Sequence, residues 1–191
     1  MTVFSSSILK VKSVMIPIIL LSLTFNSFSQ SQYVLESSRI TFYSHAPIED
    51  ITASTNDAES TLNIHDGTIS ATIKISTFTF RKQLMQKHFN EQYMESEKYP
   101  VSRFAGKVIG DLASLTTDNQ SLKARIAGEL TIRGISKPIE EEVLLSVKDN
   151  LLTGTCRLKI KLQDFAIKIP KMLSRNIAEV VDVTIEFTYK Q

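Results

Sequence analysis

The sequence is poor in the residues that most small functional sites are built from. Its 191 residues include one cysteine, no tryptophan, six glycines and five prolines. A single thiol, Cys156, excludes an internal disulfide and leaves no CxxC pair for metal or redox chemistry. No glycine-rich segment could cradle a phosphate. The three histidines, His45, His65 and His88, show no H-x-x-x-H or H-E-x-x-H spacing. His45, in a strand, and His88, on a helical segment, could still meet in space and hold a metal. The competing reading makes them surface or capping histidines.

Charge of one sign is missing as well. The first 29 residues contain only Lys10 and Lys12, followed by an apolar run from Val14 to Phe25 and a polar exit with Ser27 and Ser29. A basic start, about a dozen apolar residues and small residues at the exit form a secretory signal peptide over residues 1–29, cut after Ser29. The run is shorter than the ~20 apolar residues of a membrane-spanning helix. No cysteine follows it, so a lipoprotein anchor is not expected either. Without that segment, residues 30–191 carry 20 cationic and 20 anionic side chains, a formal charge of zero. Such a chain lacks the basic footprint of a nucleic-acid binder. The expected product is one exported domain, periplasmic or extracellular.

What is present is alternation with period two, the mark of half-buried strands. Ile69, Ala71, Ile73 and Ile75 share one face of a run whose other face is Ser70, Thr72 and Lys74. Leu122, Ala124, Ile126, Gly128, Leu130 and Ile132 alternate with Lys123, Arg125, Ala127, Glu129 and Thr131. Val143, Leu145 and Val147 form a third such face; Cys156, Leu158, Ile160 and Leu162 form a fourth. Val181, Val183, Ile185, Phe187 and Tyr189 form the last. Arg39–Ala46, Ile51–Ser54 and Ala58–Ile64 are weaker strand candidates. Turn signals fall at Asp66-Gly67, Asp118-Asn119, Gly134 and Asp149-Asn150. Strands apolar on one face and charged on the other predict an all-β, antiparallel sheet closed as a barrel or packed as a sandwich.

One segment breaks the period. From Phe80 to Met94 the residues Leu84, Met85, Phe89, Tyr93 and Met94 fall near helical spacing, with Arg81, Lys82, Lys87 and Glu91 between them. One or two helical turns ending at Tyr99-Pro100 are predicted, placed to close one end of a barrel. Cys156 shares the inward parity of Leu158 and reads as a buried small hydrophobe, not a nucleophile. Glu140, Glu141 and Glu142 read as a solvated strand start. An eight-stranded barrel can be filled by its own side chains or hold one small ligand, and periodicity alone does not choose between the two.

Two stretches carry a resemblance. "FTFRKQLMQKHFNEQYMESEKYPVSRFAG", Phe78 to Gly106, resembles the YceI-like family in its strand, charged helix, aromatic pair and "yP-x-x-x-F" strand start. "AGELTIRGISKPIEEEV", Ala127 to Val143, resembles that family's "G-x-L-T-I-R-G-v-t-K-P-v" segment, with Ser136 in place of threonine. The start, Tyr33 to Ser44, is similar but lacks the family's histidine. Where many members have "R-D-x-H-L", this chain has Arg81-Lys82-Gln83-Leu84-Met85.

The resemblance implies a lipocalin-like, eight-stranded barrel over residues 30–191, with an elongated apolar cavity and no catalytic residues. It implies an isoprenoid-type lipid, a polyisoprenoid or the tail of an isoprenoid quinone, as the partner. Parity and resemblance together assign the cavity wall to Ile73, Phe78, Phe80, Ile126, Leu130, Ile132, Leu158, Ile160, Val183 and Ile185. They assign the lid to Leu84, Met85, Phe89, Tyr93 and Met94. No cofactor, metal ligand set or nucleic-acid partner is expected; transient membrane contact and a dimer stay open. The competing functions are a ligand-free structural or stress-response protein of the envelope and a metal- or quinone-dependent enzyme using His45 and His88.

Overall fold

Alternating sequence becomes ten strand segments: β1 (Gln32–His45), β2 (Asp50–Thr55), β3 (Ala58–Asn63), β4 (Thr68–Lys74), β5 (Thr79–Phe80), β6 (Val101–Ile109), β7 (Ser121–Ile132), β8 (Ile135–Lys148), β9 (Leu151–Lys161) and β10 (Val180–Lys190). The computed structural model describes residues 32–115, 119–170, 172 and 175–190. The proposed signal segment and Asp118 lie outside them.

All pairings are antiparallel, and β10 returns to pair with β1, which closes the sheet. β2 and β3 run along successive halves of β1, from Asp50–His45 to Asn63–Gln32, and act as one bent strand. β5 likewise continues the path of β4 beyond a 3-10 turn at Ile75–Thr77, pairing with β2. The ten segments therefore form an eight-stranded closed barrel, lipocalin-like in shape. Closure removes the edge strands that would invite association.

The tight turns follow the residues that favour positive φ. Arg133-Gly134 joins the Ile132–Ile135 pair with φ of 50° and 73°, and Asp149-Asn150 joins Lys148–Leu151 with φ of 53° and 62°. Two central residues with positive φ make the type I′ turn that matches strand twist.

Three features depart from the sequence reading. β1 begins at Gln32, well before Arg39, because a bulge between Leu35 and Ser37 interrupts its alternation. Tyr33 and Leu35 pack on the core at odd positions, whereas Ile40, Phe42 and Ser44 do so at even ones. The extra residue flips the parity, so the two halves do not read as one strand. Glu140, Glu141 and Glu142 lie in mid-strand, since β8 starts at Ile135. Arg125 pairs with Glu140, and Glu141, at an inward parity, is only half-buried. β9 pairs with β8 from Val143 onward and not before, and the turn Leu162–Phe165 contacts β8, burying Phe165 and Ile167. Third, the helical segment is α1 (Gln83–His88) followed by a π-helical turn, Phe89–Tyr93. It ends before Glu95, whose φ of 46° is incompatible with further helix, and not at Pro100.

The end of the barrel near the β6–β7 connection is closed by Leu112 and Leu115, with Leu62, Leu152 and Tyr189 fully enclosed. Ser60 Oγ donates to the Ser70 carbonyl at 2.7 Å, so the 2.8 Å contact with Tyr189 is a hydrogen bond donated by the phenol. Burial pushes the Tyr189 phenol up to about 12 from its ordinary 10, and the Cys156 thiol up to about 11 from 9. Above pH 9 to 10 the unfolded chain ionises these groups while the folded one keeps both protons. Stability should therefore fall between pH 9 and 12, with the tyrosine part lost from pH 10 upward and worth roughly 2–3 kcal/mol. Urea unfolding across that range should show this slope, and Tyr189→Phe should flatten it above pH 10.

Candidate functional site

The opposite end of the barrel contains a cavity of about 320 Å³. This lies at the lower end of the ~300–1,000 Å³ typical of small-molecule sites. Its wall is built from the inward faces of β1, β4, β7, β9 and β10: Ile40, Phe42, Ile73, Leu130, Ile132, Leu158, Ile160, Val181, Val183 and Ile185. α1 and its π turn cover it with Met85, His88, Phe89, Tyr93 and the loop residue Met94. A second chamber of about 80 Å³ lies deeper, lined by Ile69, Ala71, Phe104, Ile126, Leu145 and Cys156 among others. Ile73, Leu130, Leu158 and Ile185 border both chambers, so the lumen narrows at this ring.

Thirteen of the fifteen residues assigned from the sequence line the main cavity: Ile73, Phe78, Phe80, Met85, Phe89, Tyr93, Met94, Leu130, Ile132, Leu158, Ile160, Val183 and Ile185. Ile126 lines the deeper chamber instead. Leu84 lines neither, being 63% exposed on the outer face of α1. In so short a helix Met85 already takes the inward position, so its neighbour must point away. Sequence reading assigned no cavity residue in the weaker candidate Arg39–Ala46, and so missed Ile40 and Phe42. It also missed Ile167, Asn176 and Ile177, which reach the cavity from irregular chain with no periodic signal.

The cover is held by aromatic contacts. The Phe89 ring lies 5.0 Å from Phe80, 5.5 Å from Phe78 and 5.6 Å from Phe42, centroid to centroid. Otherwise α1 is weakly anchored: six residues, no side-chain N-cap and no buried residue of its own. A helix this short does not persist without tertiary support. Lys82 ties its start to Glu49 at 2.5 Å. Arg133 ties its far side, pairing with Glu95 at 2.9 Å and donating to the Ala166 carbonyl at 2.5 Å, with its guanidinium 5.7 Å from the Tyr99 ring centroid. Arg133 thus joins the β7–β8 turn to both segments that flank the cavity. Arg133→Ala should remove about 2 kcal/mol of stability. Hydrogen exchange should quicken first in residues 83–99 and 162–167, before the strands.

The polar groups of the wall are few and gathered at the covered end. Ser44 accepts the Ala178 amide at 3.0 Å, and Glu49 faces Lys82. The side chains of His88, Tyr93 and Ser102 have no hydrogen-bond partner among the described residues. Desolvation raises the Tyr93 phenol above its ordinary value. His45 lies elsewhere: it is 76% exposed and bonds Asp50 at 2.7 Å. Among the described residues no three of His, Cys, Asp and Glu gather as metal ligands would. Cys156, buried and held protonated, is a poor nucleophile.

Solved structures share this architecture. A polyisoprenoid binding domain from Saccharophagus degradans, implicated in plant cell wall breakdown, superposes with a TM-score of 0.72 at 15% identity, covering 83% of this chain and 97% of that one. BcnA of Burkholderia cenocepacia gives 0.66 at 15% identity, covering 79% and 95%. The YCEI protein of Campylobacter jejuni gives 0.60 at 18% identity, covering 77% and 89%. At these identities the likeness is one of fold. No curated protein matches the sequence. The model of the YceI-like domain matches residues 32–189, nearly the whole described chain, and the protein belongs to the YceI-like family.

Proposed function

We propose that this protein is an exported, non-catalytic carrier that encloses the tail of an isoprenoid-type lipid in its barrel. The carrying observation is the unfilled lumen, walled almost wholly by aliphatic and phenyl side chains and narrowing toward a closed end. Such a tube suits a long apolar chain entered end-on. Each enclosed methylene contributes roughly 0.8 kcal/mol, so a dozen carbons give on the order of 10 kcal/mol. That meets the lower part of the ~4–15 kcal/mol lost on association. Branched methyls of an isoprenoid suit the irregular wall of phenyl, isoleucine and methionine groups.

His88, Tyr93 and Ser102, at the covered end, would meet a polar head group or quinone ring as donors. The described residues supply no acid–base pair beside a nucleophile, and the chemistry that fits is binding. The polyisoprenoid binding domain of similar fold supports the choice of lipid class. The sequence features of residues 1–29 support export. Organic extraction and native mass spectrometry of protein purified from its own host test the reading. One apolar chain per protein molecule is expected; protein without lipid, or with a stoichiometric metal in its place, overturns it.

A further inference from the structure

Of the six glycines, three lie between strands and three lie inside them: Gly106 on β6, Gly128 on β7 and Gly154 on β9. A glycine inside a strand gives up packing and conformational entropy. It marks a place where something must come close or where space stays open. All three have inward parity, in step with the buried Val108, Leu130 and Cys156 two residues on. Gly106 and Gly128 are paired across the β6–β7 ladder, and a Cβ on them would stand 2.7 and 2.8 Å from Phe104 Cζ. Their missing side chains let the Phe104 ring lie back along the wall of the deeper chamber, which it lines.

Gly154 leaves its space open. A Cβ there would meet Leu145 Cδ2 at 3.3 Å and no other atom within 4 Å outside its chain neighbours. Its other cross-strand partner, Phe187, is buried on the same chamber yet does not reach over it. Part of the wall of this chamber of about 80 Å³ is therefore bare backbone. Strand β10 gives the depth. Val181 lines the main cavity, Ile185 stands in the shared ring and Tyr189 lines the deeper chamber. Each of these four-residue steps is about 13 Å of strand, or roughly 10 Å along the axis of a barrel whose strands tilt by about 40°. The lumen is thus about 20 Å deep. Its inner half ends on Leu62 and on the Tyr189 phenol bonded to Ser60.

We infer that the deeper chamber seats the far end of the lipid tail, and that the missing side chain at Gly154 sets the tail length the barrel accepts. A short prenyl chain occupies only the main cavity. A longer one passes the ring of Ile73, Leu130, Leu158 and Ile185 and lays its last carbons against the bare backbone at Gly154. Each carbon so enclosed raises affinity about fourfold. The inference deepens the carrier reading and rests on it, but its own failure leaves that reading standing.

Gly154→Val places three carbons in the chamber, and a β-branched residue suits mid-strand backbone. Leu145 Cδ2, the end of a flexible side chain, has only to give by a few tenths of an ångström. Displacement of a fluorescent fatty-chain probe from protein freed of its own lipid reads the affinity for geraniol and for geranylgeraniol, which has twice the carbons. Exclusion of three tail carbons should weaken geranylgeraniol binding about 50-fold. Geraniol, seated in the main cavity, should bind as before, and the melting temperature should hold or rise. Gly154→Ala should show the same length-dependent loss at about fourfold, which keeps the test open if the valine variant does not fold. Unchanged geranylgeraniol affinity in the variants, or an equal loss for both alcohols, would overturn the length gauge and spare the carrier reading. Binding of neither alcohol by the unsubstituted protein would overturn the carrier reading, and the gauge with it.

Discussion

Leu158→Lys should abolish the folded, lipid-retaining protein. Leu158 is buried on β9, faces Val183 across the β9–β10 ladder, and borders both chambers. An ammonium there would be surrounded by Ile73, Leu130, Ile160 and Ile185, with no carboxylate among the residues bordering both chambers. The penalty for a charge left unpaired in such surroundings is several kcal/mol, a large share of the ~5–15 kcal/mol that holds a domain together. A melting temperature lowered by about 10 °C or more, or loss of soluble protein, is the expected result. Leu144→Lys makes the same chemical change on the outward face of β8, where the side chain is 47% exposed, and should alter stability by no more than about 0.5 kcal/mol. Equal melting temperatures and equal lipid content for both variants would contradict the assignment of the inner face.

The second large effect separates an empty lumen from a filled core. Ile132→Trp with Val183→Trp adds two indoles to the wall of the main cavity. In a close-packed core each enlargement costs about 1–3 kcal/mol. Where about 320 Å³ stands open, the added rings have space to occupy and new contacts to make. The expected variant keeps its melting temperature, or gains, while retention of an apolar ligand falls about 100-fold or more. Displacement of a fluorescent fatty-chain probe reads the second quantity, and calorimetry the first. Lost stability with unchanged probe binding would mean that the ligand sits elsewhere.

The reach of sequence reasoning follows from what each segment has to do. Strands β4, β7, β9 and β10 are long, regular and wet on one face, so their alternation identifies the wall directly. Leu130, Ile132, Leu158, Ile160, Val183 and Ile185 come from that pattern and line the main cavity. The β1 bulge between Leu35 and Ser37 conceals the start of that strand, while Ile40 and Phe42 alternate with Thr41 and the aromatic Tyr43, which blurs the apolar face. The cover was legible in kind, through Met85, Phe89 and Tyr93 at helical spacing, but not in detail. A six-residue helix followed by a π turn is too short for periodicity to say which of Leu84 and Met85 turns inward. Ile167, Asn176 and Ile177 lie in chain whose course is set by tertiary contact alone. The closed end, with Leu112, Leu115 and the Ser60–Tyr189 bond, depends on groups 129 residues apart in the case of the latter pair. No local pattern could announce it.

The most direct measurement is a crystal structure of the protein taken from its native host without removal of lipid. Continuous elongated density should run from the covered end near His88 and Tyr93 past the ring of Ile73, Leu130, Leu158 and Ile185. Inner side chains meshed across the barrel, with no channel between them, would contradict the account and leave only its β architecture standing.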